Sequence, residues 1–173
     1  MSRIDYDLTT IRAFAFDVDG VLSPLTIPVD HDGRPLRMTN LRDGLAMKLA
    51  SDAGYKLVVI SGARASGIER RLADLGVTDI YMGVANKAEL LKQWMGENHI
   101  SREQIAYAGD DLPDLQAMRM CGLRVAPLDA AVEIKQAANY ISPYNGGEGV
   151  ARDVIEQVLR ATGKWNPQGS QTS

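Results

Sequence analysis

The sequence is poor in the residues that most often announce a function. It has one cysteine, two histidines and two phenylalanines, and no apolar run of membrane-spanning length. A single cysteine, Cys121, excludes an intrachain disulfide framework, and no neighbouring histidine marks it as a nucleophile. His31 and His99 lie too far apart to share a zinc-like ligand spacing. There is no basic excess either: the net charge is −3, which argues against nucleic acid as the main partner. No membrane partner is expected. Residues 1–7 lack the apolar core of a signal peptide, so a cytoplasmic location is the expectation.

What the chain does have is a regular alternation of short apolar runs with amphipathic stretches. Residues 11–16, 56–60, 79–82, 105–108 and 123–125 read as strands. Residues 43–54, 68–75, 112–120 and 149–162, and a stretch beginning at Lys87, read as helices; a weaker helix is expected around 130–138. Such alternation predicts βαβ units and a three-layer α/β fold around a parallel sheet. Between the first strand and the first helix, residues 25–39 carry an Asp32-Gly33 pair between two short extended arms. That pattern predicts a β-hairpin, and Pro28 and Pro35 suit edge strands. One domain over 1–164 is expected, with 165–173 as a tail lacking fixed structure.

The informative residues sit at strand ends. Residues 11–16 lead into Asp17-Val18-Asp19-Gly20, the second strand runs into Ser61-Gly62, and a later strand into Gly109-Asp110-Asp111. In an open parallel sheet these ends face one ligand crevice. Asp17, Asp19 and Asp110 offer hard oxygen ligands suited to Mg²⁺, and no Cys/His set competes. A carboxylate beside such a cation can attack phosphorus, and a second acid two residues on can move protons. Ser61 and Lys87 supply a neutral donor and a cation for phosphoryl oxygens.

Taken in order, Asp17-Val18-Asp19-Gly20, Ser61-Gly62, Lys87 and Gly109-Asp110-Asp111-Leu112-Pro113-Asp114 resemble the four motifs of the haloacid dehalogenase superfamily. The resemblance implies a Rossmann-like sheet with Asp17 as nucleophile, Asp19 as general acid/base, and Ser61 and Lys87 holding phosphate. It also implies Mg²⁺ on the Asp17 carboxylate, the Asp19 main-chain carbonyl and Asp110, with Asp111 and Asp114 as supporting acids. The intervals between motifs leave no room for a cap domain. The hairpin, then Asn40-Leu41-Arg42-Asp43-Gly44, and the segment from Asn145 to Arg152 resemble the capless phosphatases of 3-deoxy-D-manno-octulosonate (KDO) 8-phosphate. Relatives of that group act on 9-phosphates of KDN or N-acylneuraminate. The resemblance implies a homotetramer in which a neighbour's hairpin and glycine-rich segment complete each site, and a sugar-acid phosphate as substrate. Asn40, Arg42, Asp43, Arg64 and Arg71 become candidate substrate contacts. One position departs from the pattern: Ala63 stands where the group has a residue that reads the sugar acid. A non-catalytic binding module and a receiver-like phospho-aspartate domain are the remaining readings of the same motifs.

Overall fold

The computed structural model describes residues 3–64 and 67–168; residues 169–173 of the expected tail lie outside them. Six strands form one all-parallel sheet: β1 (Ala13–Phe16), β2 (Lys56–Ile60), β3 (Asp79–Tyr81), β4 (Ile105–Ala108), β5 (Leu123–Ala126) and β6 (Tyr140–Ile141). Their order is β3-β2-β1-β4-β5-β6. The first strand is therefore central, and the chain winds outward from it in one direction and then in the other. This reversal between β1 and β4 opens a crevice at their carboxyl ends.

The sequence of β1 explains its position. Phe14 and Phe16 point into one apolar layer and Ala13 and Ala15 into the other, and all four are buried. The first layer holds α1 (Leu41–Asp52), α2 (Ile68–Asp74) and α6 (Val150–Ala161); the second holds α3 (Lys87–Glu97), α4 (Leu115–Arg119) and α5 (Val132–Ala137). Burying each large side chain contributes about 1.5–3 kcal/mol, so a strand wet on neither face is the one that can be apolar throughout.

Three details differ from the sequence reading. The first helix starts two residues earlier than Asp43, because Asn40 caps it by accepting the amides of Arg42 and Asp43. The hairpin forms, but its ladder is a single Val29–Pro35 bridge flanked by Asp30–Arg34 and Leu36–Pro28 bonds. Proline at position 35 has no amide to continue the ladder. Trp165, placed in the tail, packs on the α6 layer, with the Arg152 guanidinium 4.7 Å from its ring centre. No cap domain is inserted: β1 and β2 are separated by the hairpin and α1, and α3 and β4 by one short 3₁₀ turn (Arg102–Gln104). No helix among the described residues is long and apolar enough to cross a membrane.

Candidate active site

Register brings the polar strand ends together. Phe16 pairs with Val59 on one side and Ala108 on the other, so Asp17, Ser61 and Asp110 emerge from three adjacent strands at one edge. Asp17, Asp110 and Asp114 each place a carboxylate oxygen within 4.8 Å of the others, and all three residues are buried. One cation faces them. Lys87, the first residue of α3, sets Nζ 2.9 Å from Asp17 Oδ1 and donates to Asp114 Oδ1 at 2.8 Å.

The two ends of this array differ. Asp114 is fully engaged: Oδ1 accepts from Lys87 and from the Tyr107 hydroxyl (2.8 Å), and Oδ2 from the amides of Asp110 and Asp111 (3.0 and 3.4 Å). It is a brace. Asp17 uses Oδ1 for Lys87 and the Val18 amide (2.7 Å); among the described residues its Oδ2 has no hydrogen-bond partner and Asp110 makes no side-chain hydrogen bond. Asp111 caps the short turn that follows, accepting from the Leu112 amide at 2.8 Å.

Three buried carboxylates against one ammonium leave the cluster too negative. Burial, then the Asp114 charge, push Asp17 well above the usual carboxylate range, against the pull of Lys87. Burial, then the charges of Asp17, Asp114 and Asp111, do the same to Asp110. Burial works against the charge on Lys87, but Asp114 and Asp17 outweigh it and hold its pKa raised. A divalent cation would relieve this excess, and the donor set fits Mg²⁺. The free oxygens are hard carboxylates, the Asp19 carbonyl accepts no hydrogen bond from the described residues, and Asp110 lies over Gly20. A Cβ at Gly20 would overlap the Asp110 carboxylate, and φ of +82° already favours glycine there.

Ser61 is buried, and its Oγ accepts the Ala63 amide at 3.1 Å, which leaves the hydroxyl proton available to an incoming oxygen. Asp19 is partly exposed and is held by Arg37, a residue the sequence reading did not single out. An arginine between Leu36 and Met38 marks the residue in the sequence but not the direction of its side chain. Tyr107 was also missed, because a tyrosine in a buried strand reads as core.

The five candidate substrate contacts separate. Arg64 lines a cavity of about 910 Å³ together with Arg34 and Arg37 of the hairpin. Arg42 lines another, of about 540 Å³, with Arg3, Glu148 and Arg152. Arg71 shares a cleft of about 20 Å³ with Asn40 and Asp43, far smaller than a sugar. Asn40 and Asp43 are taken up internally. Asn40 donates Nδ2 to the Gly147 carbonyl at 3.1 Å, and Asp43 Oδ1 accepts the Arg152 amide at 2.8 Å. Gly147 in turn donates to the Val21 carbonyl at 2.8 Å, and a side chain at Gly146 would overlap the Gly20 carbonyl. The glycine-rich segment therefore packs against the loop that follows β1 in the same chain.

Asp43 gives a pH prediction. It is buried, its Oδ2 has no partner among the described residues, and burial raises its pKa to about 6, against the Arg152 amide and charge. The folded state thus keeps this proton to higher pH than the unfolded chain does. Its stabilising contribution is full below about 4 and is lost as pH rises through about 6, a change of about 3 kcal/mol. Asp43→Asn is therefore expected to melt progressively higher, relative to the unaltered protein, from about pH 4 to about pH 6.5, and by a constant margin above that. A difference in Tm that stays constant over the lower interval would contradict the shift.

A parallel sheet whose central strand ends in a buried acid, beside a lysine and a cation-seeking pair of carboxylates, defines a hydrolase that works on phosphoryl groups. The profile of the haloacid dehalogenase-like hydrolases matches residues 74–154. The 3-deoxy-D-manno-octulosonate 8-phosphate phosphatase KdsC of Escherichia coli K12 is 36% identical over 162 residues, covering 94% of this chain and 86% of that protein. The Haemophilus influenzae KdsC is 34% identical over 157 residues, 91% of this chain and 87% of that one. The crystal structure of the Moraxella catarrhalis phosphatase with magnesium ion, phosphate ion and KDO superposes with a TM-score of 0.88 at 29% identity, covering 96% of each chain. The chain belongs to the haloacid dehalogenase-like hydrolases and, within them, to the KdsC-like phosphatases.

Proposed function

We propose that this enzyme hydrolyses the phosphomonoester of a sugar acid in the cytoplasm, with KDO 8-phosphate as its substrate, through an aspartyl-phosphate on Asp17. The observation that carries the reading is Asp17 itself: buried at the end of the central strand, with one oxygen anchored by Lys87 and Val18 and the other unengaged. The KDO 8-phosphate phosphatase relatives support the choice of substrate.

Asp17 Oδ2 attacks phosphorus and the bond to the sugar oxygen breaks. Asp19 gives its proton to that oxygen, then takes one from a water that attacks phosphorus and releases phosphate from Asp17. Lys87 and the Ser61 hydroxyl hold the non-bridging oxygens as charge redistributes. Asp114, braced by Tyr107 and two amides, keeps Lys87 aimed at Asp17. Asp17, Asp110 and the Asp19 carbonyl would hold Mg²⁺, which would supply positive charge beside the phosphoryl oxygens. Arg64 contacts the sugar acid in this reading, and Asn40 and Asp43 act by joining α1 to the glycine-rich segment.

Association into a homotetramer belongs to the same proposal. Leu25, Val29, Leu36, Met38 and Leu41, on or beside the flap, expose apolar side chains of the kind a subunit contact covers. The test is phosphate release from KDO 8-phosphate, KDN 9-phosphate and N-acetylneuraminate 9-phosphate, with and without Mg²⁺, alongside light scattering. Mg²⁺-dependent turnover with the highest kcat/KM on KDO 8-phosphate is expected from a tetramer. Release from none of the three would favour a non-catalytic module, and a fully active monomer would remove the shared-site arrangement.

A further inference from the structure

Asp19 is not free to do its work. Arg37 of the flap donates Nε to Asp19 Oδ1 and Nη2 to Asp19 Oδ2, both at 2.9 Å. The arginine side chain is only 10% exposed, so the fork is a seated contact rather than a loose surface pair. Both oxygens accept from the fork, so an arm must let go before one of them can carry a proton to a leaving group.

The flap that carries Arg37 is lightly held. Its ladder is one bridge, and the Met38 amide bonded to Ser23 Oγ at 3.0 Å ties its second arm to the body. The cavity of about 910 Å³ beside it is lined by Arg34, Arg37 and Arg64 and by a single acid, Asp30. Asp30 Oδ1 is occupied by the amides of Asp32 and Arg34. Arg34 and Arg64 form no ion pair among the described residues. An anion entering this cavity meets three guanidinium groups, and its competitor for Arg37 is Asp19.

We propose that Arg37 is a substrate-operated latch and a specificity-determining residue. The carboxylate of the sugar acid, drawn in by Arg34 and Arg64, takes the place of Asp19 in the fork; Asp19, once released, takes up a proton from solvent water and passes it to the leaving oxygen. The inference rests on the sugar-acid reading above. One carboxylate replaces another, so the exchange makes and breaks no covalent bond. Selectivity then enters at turnover: a phosphate ester without a carboxylate can occupy the phosphoryl site and still leave the latch shut. The flap thereby supplies the recognition that Ala63 lacks a side chain to provide.

The experiment measures kcat and KM for the intact enzyme and Arg37→Ala, with Arg37→Gln in parallel in case the alanine variant fails to fold. The substrates are KDO 8-phosphate and ribose 5-phosphate, which has no carboxylate. Arg37→Ala is expected to lower kcat/KM on KDO 8-phosphate about 10- to 100-fold, the range of a lost charge-assisted hydrogen bond, and to raise kcat on ribose 5-phosphate several-fold. An equal fall on both substrates would make Arg37 a simple positioning group for Asp19, and no change would make the contact incidental; either overturns the latch. A gain on ribose 5-phosphate without a loss on KDO 8-phosphate would overturn its opening by the carboxylate. If the intact enzyme shows no preference for KDO 8-phosphate, the sugar-acid reading fails, while the ribose 5-phosphate kcat still reports whether Arg37 restrains Asp19.

Discussion

Asp17→Asn is expected to lower turnover by roughly 10⁴-fold or more while leaving the protein folded, as loss of a covalent nucleophile does. The amide keeps the size of the side chain and one oxygen for the Val18 amide and Lys87, but it cannot attack phosphorus. Its effect on stability has the opposite sign. Ionised Asp17 is buried beside Asp114, and both burial and that charge disfavour its anionic form. The neutral variant removes this repulsion and still leaves Lys87 paired with Asp114, so its Tm should equal or exceed that of the unaltered enzyme above pH 7. Phosphate release and thermal melting on one preparation test both halves. Turnover within about 100-fold of the unaltered enzyme would assign the attack to another group. A large fall in Tm would attribute the loss to unfolding.

Lys87→Met should produce the largest loss of stability. The lysine is 5% exposed and is the ammonium between Asp17 and Asp114. Methionine fills a similar volume but leaves two buried carboxylates facing each other without a cation. Breaking a buried pair in this way costs about 3–5 kcal/mol. For a chain of this length each kcal/mol moves Tm by about 2–4 °C, so a drop of roughly 6–20 °C is expected, together with loss of turnover. The deficit should grow as pH rises, because the stranded carboxyls are tolerated best while protonated. Adding Asp114→Asn removes one of the two charges. The double variant should recover part of the Tm and none of the turnover. Recovery of both would show that Lys87 serves the fold alone; recovery of neither would show that its loss is felt through packing.

The sequence revealed the parts of the site carried by strand ends. Three apolar runs closing in Asp17, Ser61 and Asp110 could be placed on one edge because a parallel sheet aligns its carboxyl ends, and register completes the argument. The alternation of Phe14 and Phe16 with Ala13 and Ala15 likewise announced a strand buried on both faces. What stayed hidden depends on side chains crossing long intervals. Arg37 meets Asp19 only because the flap folds back over the loop after β1, and nothing local in Leu36-Arg37-Met38 encodes that direction. Tyr107 and Asp114 are close in sequence, yet their bond matters because Lys87, from another helix, shares the same oxygen. The start of α1 was misplaced because Asp43 is also a good capping residue; Asn40 takes the role, and Asp43 turns inward to meet α6.

The strand order also has a consequence for how the chain is made. β1 emerges first from the ribosome, but it is central, and its second neighbour, β4, comes about ninety residues later. At typical rates of synthesis that interval lasts several seconds or more. Throughout it, one hydrogen-bonding edge of the most apolar strand has no native partner, and unpaired edges of this kind recruit other chains. Asp17 at its tip is meanwhile without Lys87 for much of the wait. The segment that the finished enzyme protects best is therefore one that the nascent chain leaves open until β4 arrives.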